Sequence, residues 1–214
     1  MKISIVMYHY VREIKKSQYP NVKGLEFEGF KRQLDYLEKN HTIISPSDFI
    51  AYIKGEVVLP DNACLLTFDD GYKDYYKYVL PELLKRKISG CFFPPARPII
   101  DKCLLDVNAI HFIIACCNDV KKLINNLKEE CFKYDITLKD LNHLKSNIKD
   151  YGRYDSNEIT FFKRILQREL PFDIRANITR NLFVRYVNKT EETFCRELYM
   201  SLNEVKELIS EGMY

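Results

Sequence analysis

Two adjacent carboxylates, Asp69 and Asp70, have the clearest capacity for chemistry in this 214-residue chain. They follow an apolar run, Ala63-Cys64-Leu65-Leu66, continued by Thr67 and Phe68, and precede Gly71-Tyr72. Side chains alternate along a strand, so neighbouring acids at a strand end point to different sides. One can hold a metal ion while the other faces a substrate or a water. Adjacent like charges are costly to bury and usually have a reason. The competing reading is that both acids cap the next helix, since Asp is favoured near a helix N-terminus by its hydrogen bond and by the macrodipole. His9, at the end of another apolar run, is either a hydrogen-bonded structural residue or a member of the same site. His111 and His143 lie far from any acidic cluster and read as structural or exposed.

A strand and a helix must position the acids. Residues 63–68 read as a buried strand, and in α/β folds the loops at the carboxyl ends of strands form the ligand face. Gly71 permits a sharp turn, because without a Cβ it takes positive φ at little steric cost. Beyond it Tyr72, Tyr75, Tyr76, Val79, Leu80, Leu83 and Leu84 form one stripe at the helical period. Pro81 is discordant there, since it removes a hydrogen bond and tends to kink or split a helix.

Upstream, Ile3 to Tyr8 reads as the first strand, Val11 to Glu26 as a polar loop, Phe30 to Glu38 as a helix and Thr42 to Ile44 as a short strand. Ser45-Pro46-Ser47-Asp48 supplies a cap, a proline at the first helical position and a capping-box acid, and Gly55 ends that helix. Strands and helices thus alternate as far as residue 93, the pattern of a parallel sheet or barrel. From Asp101 to Met200 the spacing turns helical, with helices expected at 107–117, 120–133, 138–147, 157–169, 174–187 and 191–199. Ser201-Leu202-Asn203-Glu204 is a second capping box, Gly212 a helix stop, and Met213-Tyr214 the start of another strand.

The segment Thr67-Phe68-Asp69-Asp70-Gly71-Tyr72 resembles the first motif of the polysaccharide deacetylase family, the metal-dependent carbohydrate esterases. Met7-Tyr8-His9-Tyr10-Val11 is similar to the first strand of many members, Phe30 to Leu37 to the helix before the motif, and Cys91-Phe92-Phe93 to a strand ending in paired phenylalanines. The resemblance implies an α/β fold: a partial (β/α)7 barrel of the polysaccharide deacetylase type with a large all-helical insertion. Residues 1–98 would be the N-terminal half of the barrel, 99–200 the helical insertion or lid, and 201–214 the return helix and the start of the next strand.

The activity implied is metal-dependent hydrolysis of the N-acetyl group of an amino sugar or glycan. Asp69 would be the general base on a water and Asp70 a metal ligand, with His9, Thr67 and Tyr72 expected to contact substrate. The expected metal is a divalent ion, zinc first, which lowers the pKa of its bound water and polarises a carbonyl. In the family two further ligands come from a His-x-x-x-His motif, but His9, His41, His111 and His143 contain no such pair. The chain therefore reads as truncated before that motif, with zinc weakly bound or absent. An open half-barrel leaves a sheet edge uncovered, which implies self-association or pairing with a polypeptide carrying the C-terminal half. Two alternatives stand beside this reading. One is a non-catalytic carbohydrate-binding or assembly protein derived from a deacetylase. The other, a magnesium-dependent phosphotransfer or hydrolase fold, would want Asp-x-Asp rather than adjacent acids.

Composition narrows the classes further. Thirty-three basic and 30 acidic residues leave a net charge of +3, too near balance to suggest nucleic acid or a membrane surface as partner. A chain that is 46% hydrophobic and 29% charged is ordinary for a soluble globular protein. The seven cysteines, an odd number without Cys-x-x-Cys spacing, read as reduced core thiols. No apolar stretch is long enough to span a membrane, and the N-terminus turns polar too quickly for a signal peptide. The expectation is a cytoplasmic protein acting on an N-acetylated sugar, with no nucleic acid and no membrane span.

Overall fold

Sequence alternation at the N-terminus becomes strand β1 (Ser4–Tyr8) in a computed structural model that describes residues 2–148 and 154–214. The remaining elements follow in order: β2 (Val11–Arg12), β3 (Leu25–Glu26), α1 (Phe27–Asn40), β4 (Thr42–Ile43), α2 (Pro46–Ile53), β5 (Ala63–Asp69), α3 (Leu80–Arg86), β6 (Cys91–Phe93) and α4 (Ala96–Ile100). The helical stretch continues with α5 (Asp106–Ala115), α6 (Val120–Phe132), α7 (Leu138–Ser146), α8 (Asn157–Arg164), α9 (Phe172–Val187), α10 (Glu191–Leu198) and α11 (Leu202–Ser210). Two units result. Met1–Cys103 with Glu192–Tyr214 holds the strands, and Leu104–Glu191 is all helical. No helix among the described residues is long and apolar enough to cross a membrane.

In the first unit β5 is the axis of a four-stranded parallel sheet. Its near-continuous apolar sequence matches burial on both faces, as parallel strands require. β1 pairs along one edge from Ser4↔Cys64 to Tyr8↔Phe68. The opposite edge is shared: β4 pairs at Thr42↔Ala63 and Ile43↔Cys64, and β6 from Thr67↔Cys91 to Asp69↔Phe93. Beside β6, the amide of Tyr214 donates to the Gly90 carbonyl at 3.1 Å and its own carbonyl accepts from Phe92 N at 2.7 Å, which is the pattern of a parallel ladder.

Helix α1, through Phe30, and the helical turn before α3, through Tyr75, cover one face of this sheet over an aromatic cluster. Tyr8 meets Phe30 edge-on at 5.0 Å, Phe68 stacks on Phe92 at 4.6 Å, and Tyr8 stacks on Phe68 at 5.3 Å. Such pairs contribute about 0.5–1.5 kcal/mol each beyond their burial. On the other face, the amino end is filled by Ile44, Leu59, Ala63 and Leu65 with Ile3, Phe49 and Tyr52. Toward the carboxyl end that face is open, and Ile5, Met7 and Phe93 stand exposed.

Both capping boxes form, at Ser45–Asp48 and Ser201–Glu204. Two features differ from the sequence expectation. The segment 11–26, read as a polar loop, contains the two-stranded parallel sheet β2–β3. Each strand is only two residues long, too short for alternation to register, and Glu26 completes the fold by accepting the amides of Ile14 and Lys15. Pro81 neither splits nor ends its helix. A π-helical turn, Tyr75–Val79, lies immediately before it, and this widened turn relieves the clash and lost bond that proline brings. The extra residue rotates the stripe, so Tyr72, Tyr75, Val79, Leu80 and Leu83 are buried while Leu84 is exposed.

In the second unit the helices fall within two residues of their expected bounds, with 157–169 closing on a second π turn, Ile165–Glu169. Its core includes Leu123, Leu127, Phe162, Leu182 and Phe183. Polar ties cross it: Asn126 Nδ2 donates to Tyr186 Oη at 2.7 Å, and Asn181 Nδ2 to Glu130 Oε2 at 2.9 Å.

Candidate active site

β5 delivers Asp69 at its last position, and the chain then turns through two residues in the left-handed region, Asp70 (φ 68°) and Gly71 (φ 62°). For a residue with a Cβ that conformation costs about 1–2 kcal/mol, and Asp is among the residues that tolerate it. The turn is held from two sides. A Cβ at Gly71 would lie 2.8 Å from Pro94 Cβ and 2.9 Å from Pro94 Cα, so the end of β6 approaches as closely as glycine allows. Opposite, the amide of Met200 donates to the Gly71 carbonyl at 2.9 Å, and Tyr72 bridges to Tyr199.

Beneath the turn, Tyr72 is fully buried and its hydroxyl donates to Asp70 Oδ2 at 2.6 Å. Tyr10 stacks on it with ring centroids 4.3 Å apart. Burial, together with Tyr10 and Asp70, pushes the Tyr72 phenol far above its ordinary pKa, so it stays a protonated donor to the carboxylate. Tyr75, equally buried, donates to the carbonyls of Tyr8 and His9 and fixes the end of β1. Arg12 on β2 donates to Asp74 Oδ2 at 2.6 Å and lies over the Tyr10 ring. Burial raises the Asp74 carboxyl pKa despite the opposing pull of Arg12.

His9 follows the Tyr8↔Phe68 pair and so comes to face Asp69, with Nε2 3.8 Å from Asp69 Oδ2. Both side chains are partly exposed at the carboxyl end of the sheet. Phe93, in register with Asp69, shows its ring to solvent on the same face. The expected site residues therefore separate. His9 and Asp69 come together at the surface, and Asp70 sits in the turn with one oxygen engaged. Thr67 is buried and donates to the Val6 carbonyl at 3.3 Å, while Tyr72 lies under the turn; neither presents its hydroxyl to solvent. As for capping, Asp70 accepts from a phenol and Asp69 faces an imidazole, and neither acid bonds a helix amide among the described residues. Sequence reading assigns Phe93, Tyr10 and Arg12 no place in the site. Phe93 becomes legible once β6 is registered on β5, and Tyr10 continues the alternation of Tyr8, whereas nothing local marks Arg12.

Among the described residues no three His, Cys, Asp or Glu side chains gather to hold an ion, and catalytic zinc sites generally use three protein ligands. These residues do not fit a complete catalytic metal centre.

No family model and no curated protein matches the chain. Among solved structures it is similar to a de-N-acetylase from Aggregatibacter actinomycetemcomitans, at 23% identity over 45% of this chain and 38% of that one, with a TM-score of 0.39. It is similar to IcaB from Ammonifex degensii at 25% identity, over 54% of this chain and 52% of that one, with a TM-score of 0.37. A third is the Streptococcus pyogenes deacetylase PplD in complex with acetate, at 15% identity over 84% and 81% of the two chains and a TM-score of 0.42. The chain spans 38% and 52% of the lengths of the first two. Of these three proteins, the first is named a de-N-acetylase and the third a deacetylase.

Proposed function

We propose that this chain carries a hydrolytic site of the deacetylase type, in which Asp69 is the general base for removal of the acetyl group from an N-acetylated amino sugar or glycan. The observation that carries the reading is the Asp69–Asp70 turn: a partly exposed acid at the carboxyl end of a parallel sheet, beside a second acid braced in left-handed backbone by a buried tyrosine. Asp69 takes a proton from a water whose oxygen bonds to the amide carbon. When the carbon–nitrogen bond breaks, the same proton passes to the leaving nitrogen, giving acetate and a free amine. His9, 3.8 Å from Asp69, balances the carboxylate charge when protonated. Tyr72 acts through Asp70 as a positioning residue, and the Phe93 ring offers a flat apolar wall for a pyranose.

The sheet unit is read as part of a (β/α) barrel, because Ile5 with Leu65, Met7 with Thr67 and Cys91, and Asp69 with Phe93 form successive layers on one face. The helical unit is then an insertion in the sequence between β6 and α11. Asp70 offers one ligand, and a metal-dependent reaction in this site calls for donors beyond the described residues.

The test is acetate release from N-acetylglucosamine oligomers by the wild type and by Asp69→Asn, with and without added zinc. General-base catalysis contributes roughly 10²–10⁴-fold, and a loss of that size in the variant is expected. The donor set favours a second reading, a sugar-binding protein without hydrolysis. Oligomer binding retained by both proteins, with no acetate from either, would decide for it.

A further inference from the structure

The ladder between β1 and β5 ends at Tyr8↔Phe68, one residue short of the His9–Asp69 pair. β5 then turns through left-handed Asp70 and Gly71, so strand pairing does not carry on to align the two side chains. Another contact must aim the imidazole.

The helical turn before α3 supplies it. The Tyr75 hydroxyl faces two consecutive carbonyls, Tyr8 O at 3.0 Å and His9 O at 2.5 Å. Along an extended strand consecutive carbonyls point to opposite edges. Two that converge on one hydroxyl mark a bend, and it falls at His9, between the end of β1 and the start of β2. The Tyr75 ring is itself fixed: it is fully buried and meets Phe68 edge-on at 5.4 Å and Phe92 at 5.8 Å, two residues in register on β5 and β6. Burial, with Asp70, Asp69 and Asp74 nearby, pushes its phenol well above the ordinary range, so the hydroxyl stays a donor. Asp74, the preceding residue, takes Arg12 at 2.6 Å, so one turn of chain holds the bend on both sides of Tyr10.

We propose that Tyr75 is a positioning residue for the hydrolytic site: by pinning the carbonyls of Tyr8 and His9, its hydroxyl sets the bend that brings the His9 imidazole to 3.8 Å from Asp69. This rests on the reading of Asp69 as the base, because His9 serves the reaction through that carboxylate. Tyr75 lies buried and acts through His9.

Tyr75→Phe removes the hydroxyl and keeps the ring, so far-ultraviolet circular dichroism should be unchanged. Placement is read without turnover by magnetic resonance of ring-labelled histidine, His9 being the resonance lost in His9→Gln. Asp69→Asn should shift that resonance in the wild-type background, and by less than half as much beside Tyr75→Phe. Turnover is read as acetate release from N-acetylglucosamine oligomers. Misplacement by about 1 Å can cost about a hundredfold, so Tyr75→Phe should lower kcat at least about tenfold with KM unchanged. In a His9→Gln background it should lower kcat no further, whereas a hydroxyl that merely stabilised the fold would act equally in both. Should Tyr75→Phe fail to fold, the wild type still decides: a nuclear Overhauser contact between the Tyr75 ring and the His9 backbone is expected, and its absence overturns the proposal. Equal ring responses in the two backgrounds overturn it whatever the turnover, and so do kcat losses that multiply independently. No acetate from the wild type, with the ring responses differing as expected, removes the reading of Asp69 and supports the hold of Tyr75 on His9.

Discussion

Gly71→Ala perturbs the acidic turn without touching either acid. Two contributions add at this position. The backbone sits at φ 62°, which costs a residue with a Cβ about 1–2 kcal/mol. The new methyl would also lie 2.9 Å from Pro94 Cα and 2.8 Å from its Cβ, and backbone and a proline ring cannot swing aside as a flexible side chain can. Overpacking of this kind costs typically about 1–3 kcal/mol, so the sum is roughly 2–5 kcal/mol. Gly55 and Gly212 supply the controls. Their φ values are 77° and 84°, and nothing lies within 4 Å of an added Cβ at either, so alanine there carries the backbone contribution alone. Urea unfolding followed by near-ultraviolet circular dichroism separates the cases. With slopes of about 1–3 kcal/mol per molar urea, the Pro94 contact should lower the Gly71→Ala midpoint by roughly 1 M more than in the controls. If the three alanine variants unfold alike, the end of β6 does not brace the turn and the reasoning about Gly71 is refuted.

Other perturbations test the surroundings of the site. Tyr72→Phe removes only the hydroxyl that holds Asp70, and should cost about 1.5–3 kcal/mol, the worth of a hydrogen bond to a charged group, in the same melts. Asp74→Leu removes the carboxylate paired with the nearly buried Arg12 and should destabilise the fold; the double variant with Arg12→Met should recover part of that loss, and additive single effects would contradict the pairing. In the helical unit, burial raises the Glu130 carboxyl pKa, but hydrogen bonds from Lys133 and Asn181 outweigh it, and the net shift is downward. A carboxyl with a depressed folded pKa contributes stability that is present above its unfolded pKa of about 4.3 and lost as pH falls through the folded value. Glu130→Gln should therefore lose less stability than the wild type on acidification below that point, and equal pH slopes would count against the assignment.

What the sequence made legible was whatever local chemistry encodes. The Ser45 and Ser201 capping boxes, the β5 strand and the long helices 120–132 and 172–187 follow from spacing and end signals that act within one or two turns. The acidic turn was legible as far as Asp69, Asp70 and the positive φ at Gly71, because two acids and a glycine after a buried strand are unusual. Its support was not. The stack of Tyr10 on Tyr72, the Arg12–Asp74 pair and the approach of Pro94 and Met200 to Gly71 are long-range contacts, fixed only when β1, β6 and the segment after α10 reach β5. Tyr72 illustrates the difference. The family resemblance implies a substrate contact there, whereas burial turns its hydroxyl toward Asp70. The π turn before Pro81 is similar in kind: helical periodicity reports a face, not the extra residue that rotates it.

In the proposed reaction Asp69 activates water against an acetamide. Its most direct test is hydrolysis of N-acetylglucosamine oligomers in ¹⁸O-enriched water, counting labelled acetate against new amines by mass spectrometry. One ¹⁸O in each acetate, one amine for each acetate, and a loss of both by at least about a hundredfold in Asp69→Asn are expected. Labelled acetate appearing equally with wild type and Asp69→Asn, or no acetate from the wild type with or without zinc, would contradict it.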